Sequence, residues 1–203
     1  MKNPQKLTTA YYDENAEWWA SRKNNSFIHE SQFRKFTRYL KKGDSVLDIG
    51  CAYGIHVPLF LGIGRTLKYE GLDVSSSMLR LAKSRYPQLI FKRADIGDKK
   101  TLPKKKYDGF WAAAVLMHVP VEKWDDMFTN IERITKPHAI GYITIPKERP
   151  NPASKKDQRH FSLLSRTDFL KMISARGWKV LHSGEIDGSN APKLWRWFIL
   201  RIP

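Results

Sequence analysis

Residues 46–54, Val46-Leu47-Asp48-Ile49-Gly50-Cys51-Ala52-Tyr53-Gly54, are an apolar run that ends in a cluster of small residues. Small residues let the backbone approach a ligand closely, and glycine adopts turn conformations that other residues avoid. The stretch therefore predicts a buried strand followed by a ligand-binding turn at the carboxyl edge of a parallel sheet. Its small residues depart from the spacing G-x-G-x-x-G, so the pyrophosphate-binding turn of a dinucleotide site is not predicted.

Strand and helix signals alternate after this turn. Predicted strands cover 69–74, 89–91, 107–112 and 139–145, and helix patterns lie between them. One of these helices follows an N-cap at Ser75 and has to end before Pro87, because the residue before a proline is pushed out of the α region. Such alternation predicts a parallel, doubly wound α/β sheet of the Rossmann-like kind.

The last part of the chain predicts a helix followed by two strands. The helix has Thr167 as its N-cap and Gly177 at its end. The strands cover 178–182 and 194–202, and the loop at 184–192 between them is too short for a helical crossover, so the last strands are predicted to be antiparallel neighbours.

The first 40 residues predict helices that contain many aromatic side chains. Residues 8–40 are interpreted as two helices that cap the binding edge of the sheet. We therefore expect one domain over residues 1–203, with an N-terminal helical cap at 1–42 and a Rossmann-like core of seven strands at 43–203.

Two further acidic residues follow predicted strands. Asp73 lies nineteen residues beyond Gly54 at the end of the second strand, where a carboxylate can accept hydrogen bonds from both hydroxyls of a ribose. Asp95 follows the third strand. With the turn at 50–54, these acids resemble the motifs of class I S-adenosylmethionine-dependent methyltransferases of the small methyltransferase-domain type. The resemblance continues through 107–120 and covers nearly the whole chain.

The resemblance implies S-adenosylmethionine as the cofactor. In that family the glycine turn packs against the methionine part of the cofactor, and the acid at Asp48 helps to orient its charged end. The acid at Asp95 lies by the adenine amino group. Ala52 stands where the family has its middle glycine, which narrows the pocket by one methyl group. The implied cofactor-binding residues are Asp48, Gly50, Cys51, Ala52, Tyr53, Gly54, Asp73, Val74, Met78, Ala94, Asp95, Ile96, Ala112 and Ala113.

The region after the fourth strand narrows the class of methyl acceptor. Residues 112–114 are three alanines, not the Asn-Pro-Pro-Tyr or Asp-Pro-Pro-Tyr of enzymes that methylate exocyclic amines. Cys51 lies in the cofactor turn, so the cysteine chemistry of 5-methylcytosine formation is excluded. The alanines also cannot bind magnesium as the catechol-type enzymes do, and no metal is expected.

The remaining candidates for the acceptor side come from three regions. His118 is the candidate catalytic base, because its ordinary pKa suits proton transfer near neutral pH; a structural histidine is the alternative. Arg159 and His160 are candidates for holding an anionic substrate group, unless they are solvated loop residues. Tyr12 and Trp19 are candidates for closing over substrate or cofactor, and packing of an amphipathic helix explains them equally well.

Composition and charge limit the possible function classes. The 203 residues are 41% hydrophobic, no apolar run is long enough to cross a membrane, and the single cysteine permits neither an internal disulfide nor a cysteine-based zinc site. We therefore expect a cytoplasmic protein, monomer or homodimer, that methylates an oxygen or nitrogen of a small molecule. The net charge of +16, which includes a lysine cluster at 99–106, leaves nucleic acid open as a partner and an RNA methyltransferase as the alternative. A non-catalytic cofactor-binding protein on the same fold is the third possibility.

Overall fold

The computed structural model describes residues 3–22, 30–63, 66–148, 157–188 and 191–203 as three layers, with helices on both faces of one sheet. The helices are α1 (Pro4–Glu14), α2 (Ala16–Ser21), α3 (Glu30–Thr37), α4 (Val57–Gly62), α5 (Ser76–Arg85), α6 (Trp124–Ile134) and α7 (Arg166–Ala175). The strands are β1 (Ser45–Ile49), β2 (Lys68–Asp73), β3 (Ile90–Arg93), β4 (Tyr107–Ala112), β5 (Thr135–Pro146), β6 (Lys179–Gly188) and β7 (Ala191–Arg201). Short 3₁₀ turns cover Leu116–His118 and Val121–Lys123.

The seven strands lie in the order β3-β2-β1-β4-β5-β7-β6. The first five pair in parallel, and β7 is antiparallel to both β5 and β6. The predicted α/β fold, a Rossmann-like doubly wound sheet with an antiparallel last strand, is confirmed. Because β1 and β4 are neighbours although two strands separate them in sequence, the direction of winding reverses between them, and ligands of such sheets bind at this point.

Different helices pack against the apolar side chains on the two faces of the sheet. On one face, Trp124 and Phe128 of α6 and Phe169 of α7 pack against strand residues such as Phe198. On the other face, helices α3, α4 and α5 pack over Val46, Tyr69 and Trp111. The central strands are buried on both sides, which explains their nearly continuous apolar sequences.

The N-terminal region differs from the two helices predicted for 8–40. Its described residues form three helices, of which α1 and α2 lie over the binding edge as predicted. Helix α3 instead belongs to a face of the sheet, because Phe33 and Phe36 are fully buried and both pack edge-on against Trp111. The aromatic residues of the region therefore divide between the cap and the core.

Two predicted boundaries at the C-terminal end are wrong. The N-cap of α7 is Ser165, not Thr167, since the Ser165 hydroxyl accepts a hydrogen bond from the backbone N–H of Asp168 at 3.0 Å. The predicted loop at 184–192 is largely strand, because the β6–β7 ladder continues through the pairs Glu185–Arg196 and Ile186–Trp195. In the described parts of the chain, no helix is long and apolar enough to cross a membrane.

Candidate functional site

The turn after β1 takes backbone conformations that favour glycine. Gly50 has φ +72° and Gly54 has φ +79°, while Ala52 adopts the left-handed region at φ +48° despite its side chain. A Cβ atom at Gly50 would lie 2.4 Å from Val115 Cγ2, because the loops after β1 and β4 touch where the winding reverses. The glycine is therefore required both by the turn and by the close approach of the second loop.

Asp73 at the end of β2 fastens this turn to the next one. Its Oδ2 accepts a hydrogen bond from the backbone N–H of Ala52 at 2.8 Å, and its Oδ1 accepts one from Ser75 at 2.9 Å. Burial raises the pKa of the Asp73 carboxyl, although these backbone donors act in the opposite direction. Each oxygen keeps a second lone pair, so the carboxylate can also accept two hydroxyl groups.

The loops that follow the parallel strands surround a cavity of about 410 Å³ at the carboxyl edge of the sheet. This volume lies within the ordinary range for small-molecule sites, roughly 300–1,000 Å³. Its β1–β3 end is lined by Ile49, Gly50, Ala52, Tyr53, Ile55, His56, Leu72, Asp73, Val74, Met78, Ala94, Asp95 and Ile96. Its β4–β5 end is lined by Ala113, Ala114, Val115, Met117, His118, Val119, Arg159, Phe161 and Trp195. Helices α1 and α2 cover it, so the cavity runs along the sheet edge under the cap.

Most of the predicted site residues meet in this cavity. The predicted residues that line it are Gly50, Ala52, Tyr53, Asp73, Val74, Met78, Ala94, Asp95, Ile96, Ala113, His118, Tyr12, Trp19 and Arg159. The predicted residues that do not line it are Asp48, Cys51, Gly54, Ala112 and His160. The fold thus brings residues from distant parts of the sequence to one cavity, and their roles in binding remain predictions.

Asp48 lies behind the glycine turn, on the face of the sheet that Val46 shares. Its Oδ2 accepts a hydrogen bond from the Tyr69 hydroxyl at 2.9 Å and lies 3.9 Å from His56 Nδ1. Only 1% of the residue is exposed, and burial raises the pKa of its carboxyl to about 8. Asp48 is therefore protonated at neutral pH in this structure, and its part in orienting a cofactor remains a prediction.

The other four predicted residues outside the cavity wall have structural surroundings. Cys51 and Ala112 are fully buried in the two halves of the core. Gly54 faces the Tyr86 ring, which lies 2.9 Å from the position of a Cβ atom. His160 donates its backbone N–H to Thr8 Oγ1 at 2.9 Å, and its ring is hydrogen-bonded to Ser162 Oγ. These residues support the walls from behind.

The cap helix α1 is fastened to both ends of the cavity. At the β1–β3 end, Asp13 Oδ1 accepts hydrogen bonds from the Ser75 hydroxyl at 2.7 Å and from the Ser77 backbone at 3.0 Å. At the other end, Thr8 holds the backbone of His160. Asp13 thus adds negative charge at the N-terminus of α5, where a helix dipole favours it.

His118 is partly buried at the β4–β5 end, and both of its ring nitrogens are hydrogen-bonded. Its Nδ1 is 2.7 Å from the backbone carbonyl oxygen of His160, and its Nε2 is 3.0 Å from the hydroxyl of Tyr12. Burial lowers the pKa of the imidazole to about 4, so the ring is neutral at pH 7. A neutral imidazole can accept a proton, but this pKa lies well below neutral pH, so the role of His118 as the base remains a prediction.

Arg159 is not a solvated loop residue. It is 7% exposed and forms a bidentate ion pair with Asp157, whose oxygens lie 2.9 Å from Nε and 2.6 Å from Nη2. Its guanidinium also lies 5.0–5.6 Å from the ring centres of Tyr11, Tyr12, Trp19 and Phe161. Although burial disfavours the charged form, the Asp157 hydrogen bonds raise the pKa of Arg159 above its usual range. Asp157 therefore neutralises the positive charge of Arg159. The role of Arg159 in holding an anionic substrate group remains a prediction.

Sequence reasoning missed about half of the cavity wall. The residues it missed are Gln5, Thr8, Thr9, Trp18, Arg22, Ile49, Ile55, His56, Leu72, Ala114, Val115, Met117, Val119, Phe161 and Trp195. Positions 114, 115 and 117 adjoin predicted residues and could have been included by continuing the fourth-strand loop. Trp195 lies in an ordinary strand pattern, and no sequence signal distinguishes its end of β7.

The β1–β3 end fits an adenosine-containing cofactor. Asp73 can accept the two ribose hydroxyls, and Ala94 and Ile96 provide apolar contact for a flat ring. The glycine turn allows the backbone to approach the rest of the molecule. Among the described residues, no group of three or more His, Cys, Asp or Glu side chains is placed to hold a metal ion.

Comparison with known proteins finds a match to a methyltransferase domain in the central part of the chain. Residues 46–138 match the family model described as a methyltransferase domain. The uncharacterized protein MJ0906 of Methanocaldococcus jannaschii is 32% identical over 117 residues, which are 54% of this chain and 30% of that protein. The chain thus spans less than a third of the length of this curated relative.

Solved structures share the fold over nearly all of the chain. Magnesium protoporphyrin IX methyltransferase (ChlM) from Synechocystis PCC 6803, crystallised with bound S-adenosylmethionine, has a TM-score of 0.74 at 16% identity and covers 100% of this chain and 99% of its own. The [4+2]-cyclase SpnF has a TM-score of 0.73 at 15% identity, with 99% and 96% covered. Residues 46–138 therefore match the methyltransferase-domain model, in agreement with the predicted resemblance, and the solved structures confirm the predicted fold.

Proposed function

We propose that this chain transfers the methyl group of S-adenosylmethionine to an oxygen or nitrogen atom of a small molecule. One observation carries the proposal: a single cavity joins the wall that fits the cofactor to a second wall that contains the neutral imidazole of His118. Two ligands can therefore lie side by side along the sheet edge. The cofactor's place is the β1–β3 end and the acceptor's place is the β4–β5 end.

Methyl transfer requires mainly that the acceptor lone pair be aligned with the carbon–sulfur bond of the cofactor. S-adenosylmethionine, when bound, supplies a methyl group attached to a positively charged sulfur. The acceptor lone pair forms a bond to the methyl carbon while the carbon–sulfur bond breaks and leaves its electron pair on sulfur, so orientation supplies much of the rate. The proton on the acceptor atom has to leave, and His118 is the predicted base for it.

Charge at the β4–β5 end favours a small molecule over RNA. Two arginines, Arg22 and Arg159, line the cavity, and Arg159 is paired with the carboxylate of Asp157, which is itself buried. The neighbouring wall residues Phe161, Trp195 and Met117 are apolar. Phosphate binding generally uses arginine and lysine side chains that are not already neutralised.

Part of the lysine cluster at 99–106 lies at the edge of the sheet opposite the cavity, where it cannot guide RNA into the cavity. Residues 104–106 directly precede β4, whose carboxyl end adjoins the cavity, so they lie at the opposite edge. The Lys105 ammonium there donates a hydrogen bond to Glu70 Oε1 in an ion pair. The net charge of +16 keeps RNA as the alternative, and the experiment below separates the two.

The shared fold by itself leaves the activity open. ChlM is named for a small-molecule substrate, magnesium protoporphyrin IX, whereas SpnF is named as a cyclase. A non-catalytic protein on this fold therefore remains the third candidate.

The test is to incubate the purified protein with methyl-labelled S-adenosylmethionine together with a small-molecule extract or with total RNA. Label in the small-molecule fraction is the expected result. Label in RNA would replace the proposed substrate class, and no label in either fraction despite calorimetric binding of the cofactor would favour the non-catalytic candidate. An Asp73→Ala variant serves as the control that should transfer nothing.

A further inference from the structure

The hydroxyl of Tyr12, contributed by cap helix α1, lies between two groups from distant parts of the chain. It is 3.0 Å from His118 Nε2 and 3.1 Å from Arg159 Nη1. Tyr12 and His118 both line the cavity, and the Tyr12 hydroxyl occupies the hydrogen-bonding position at His118 Nε2. The Nε2 atom of His118 is thus already engaged and does not face the acceptor alone.

The chemistry of the partners fixes where the protons are. A backbone carbonyl only accepts, so the 2.7 Å contact with His160 places the proton of the neutral imidazole on Nδ1 of His118. Nε2 then has a lone pair, and the Tyr12 hydroxyl has to donate to it. A guanidinium only donates, so Arg159 gives its hydrogen bond to the Tyr12 oxygen.

We propose that Tyr12 is the catalytic residue that takes the proton from the methyl acceptor, and that His118 acts behind it by taking the phenol's own proton on Nε2. This inference rests on the proposed function and assigns the base step to a cap residue. His118 is then a positioning residue and the final proton holder, not the group in contact with the acceptor.

The step balances in atoms and charge. The acceptor's O–H or N–H bond breaks and its proton forms a bond to the Tyr12 oxygen, while the phenol's original proton moves to His118 Nε2. The acceptor lone pair forms the new bond to the methyl carbon, and the electron pair of the carbon–sulfur bond remains on sulfur. The positive charge that began on sulfur ends on the imidazolium of His118.

The surrounding charges act on both members of the pair. Arg159 stabilises negative charge on the Tyr12 oxygen during the transfer. On the imidazole, burial and the Arg159 charge oppose a positive charge, whereas the hydrogen bond to the His160 carbonyl and the Asp157 carboxylate favour it. The other titratable groups near the pair are His160, on the same segment as Arg159, and Asp73 across the cavity. Burial raises the pKa of Tyr12 and lowers that of His118, which keeps both neutral until an acceptor is present.

The test compares Tyr12→Phe with a matched control. Tyr39→Phe removes a hydrogen bond of the same kind, between the Tyr39 hydroxyl and His182 Nε2 at 2.8 Å, at an exposed place outside the cavity wall. The probe is transfer of label from methyl-labelled S-adenosylmethionine to the small-molecule extract. A positioned base is worth roughly 10²–10⁴ in rate, so we expect Tyr12→Phe to slow labelling by about that factor and Tyr39→Phe to leave it within about threefold.

Further measurements separate the relay from a structural role. Cofactor affinity by calorimetry should stay within about threefold in Tyr12→Phe, and raising the pH should recover labelling, because the acceptor then loses its proton to solvent. The effects of substitutions within one relay do not add. The double variant Tyr12→Phe with His118→Ala should therefore label at a rate within about threefold of the slower single variant.

The outcomes also separate this inference from the proposed function. Labelling by the Tyr12→Phe variant at the wild-type rate would overturn the relay and leave the methyltransferase function intact. Losses that multiply in the double variant would also overturn it. If the wild-type protein binds the cofactor but labels no small molecule, the proposed function fails first and the relay fails with it.

Discussion

Replacing Asp73 with alanine removes two interactions that the structure shows and one that the proposed function requires. The carboxylate accepts hydrogen bonds from the backbone N–H groups of Ala52 and Ser75. Alanine leaves both donors without this acceptor, and each such loss costs roughly 1–3 kcal/mol, so the free energy of unfolding should fall by about 2–6 kcal/mol. At this chain length a loss of 1 kcal/mol lowers Tm by roughly 2–4 °C.

The same substitution should weaken cofactor binding beyond its effect on stability. Two hydrogen bonds from ribose hydroxyls to a carboxylate are worth about 3–6 kcal/mol together, which corresponds to an affinity loss on the order of 10²–10⁴. Asp98→Ala is the matched control, because the Asp98 carboxylate also accepts a backbone hydrogen bond, from Lys100 at 3.0 Å, but does not line the cavity. We expect its effects on stability and affinity to be much smaller.

Urea unfolding without cofactor and calorimetric titration with S-adenosylmethionine separate the two contributions of Asp73. An unchanged free energy of unfolding would show that the carboxylate does not fasten the two turns. Unchanged affinity in a folded Asp73→Ala protein would refute the assignment of the ribose to this residue, whatever the stability result.

Three further substitutions test the glycine turn and the acid behind it. Gly50→Ala should cost about 2–5 kcal/mol in urea unfolding, from left-handed strain and the clash with Val115, and Val115→Ala in the same protein should recover part of that loss; no recovery would refute the clash. Ala52→Gly should change the free energy of unfolding by less than about 1 kcal/mol, because relief of strain offsets backbone entropy, and calorimetry should show affinity for S-adenosylmethionine equal to or higher than that of the wild type; weaker binding would contradict this. The pKa of Asp48 is raised to about 8 from 3.8, so its contribution to stability is present below pH 3.8 and is lost as pH rises to about 8. Asp48→Asn should remove this loss, up to about 1.4 kcal/mol per pH unit, and parallel curves of Tm against pH for the two proteins would refute the buried protonated acid.

The strands of the core were predictable because their signals are local. A short apolar run between turn residues specifies a buried strand with little help from the rest of the chain, and β4 has the predicted bounds 107–112. The predicted end of β6 at residue 182 was wrong, because the pairing of its continuation with β7 decides that boundary. Turn residues such as Gly184 gave the opposite indication.

The environment of a charged residue was harder to predict than its position in the chain. Arg159 follows β5 in a polar stretch, and composition favours a solvated loop there. Arg159 and its hydrogen-bond partner Tyr12 are 147 residues apart in the sequence, so no local pattern predicts this contact. The surroundings of Asp48 were hard to predict for a different reason: a strand buried on both faces has no alternation to show which side an acid takes.

This contrast explains why the cofactor could be predicted and the acceptor could not. The residues at the β1–β3 end lie between positions 49 and 96, within the stretch 46–138 that matches the methyltransferase-domain family. The β4–β5 end also has lining residues between positions 113 and 119, but Tyr12, Arg159, Phe161 and Trp195 lie outside that stretch. Segments from the two ends of the chain meet there only when α1 is docked on the sheet edge. If the β4–β5 end holds the acceptor as proposed, substitutions of Tyr12 in α1 should change the choice of acceptor without changing affinity for S-adenosylmethionine.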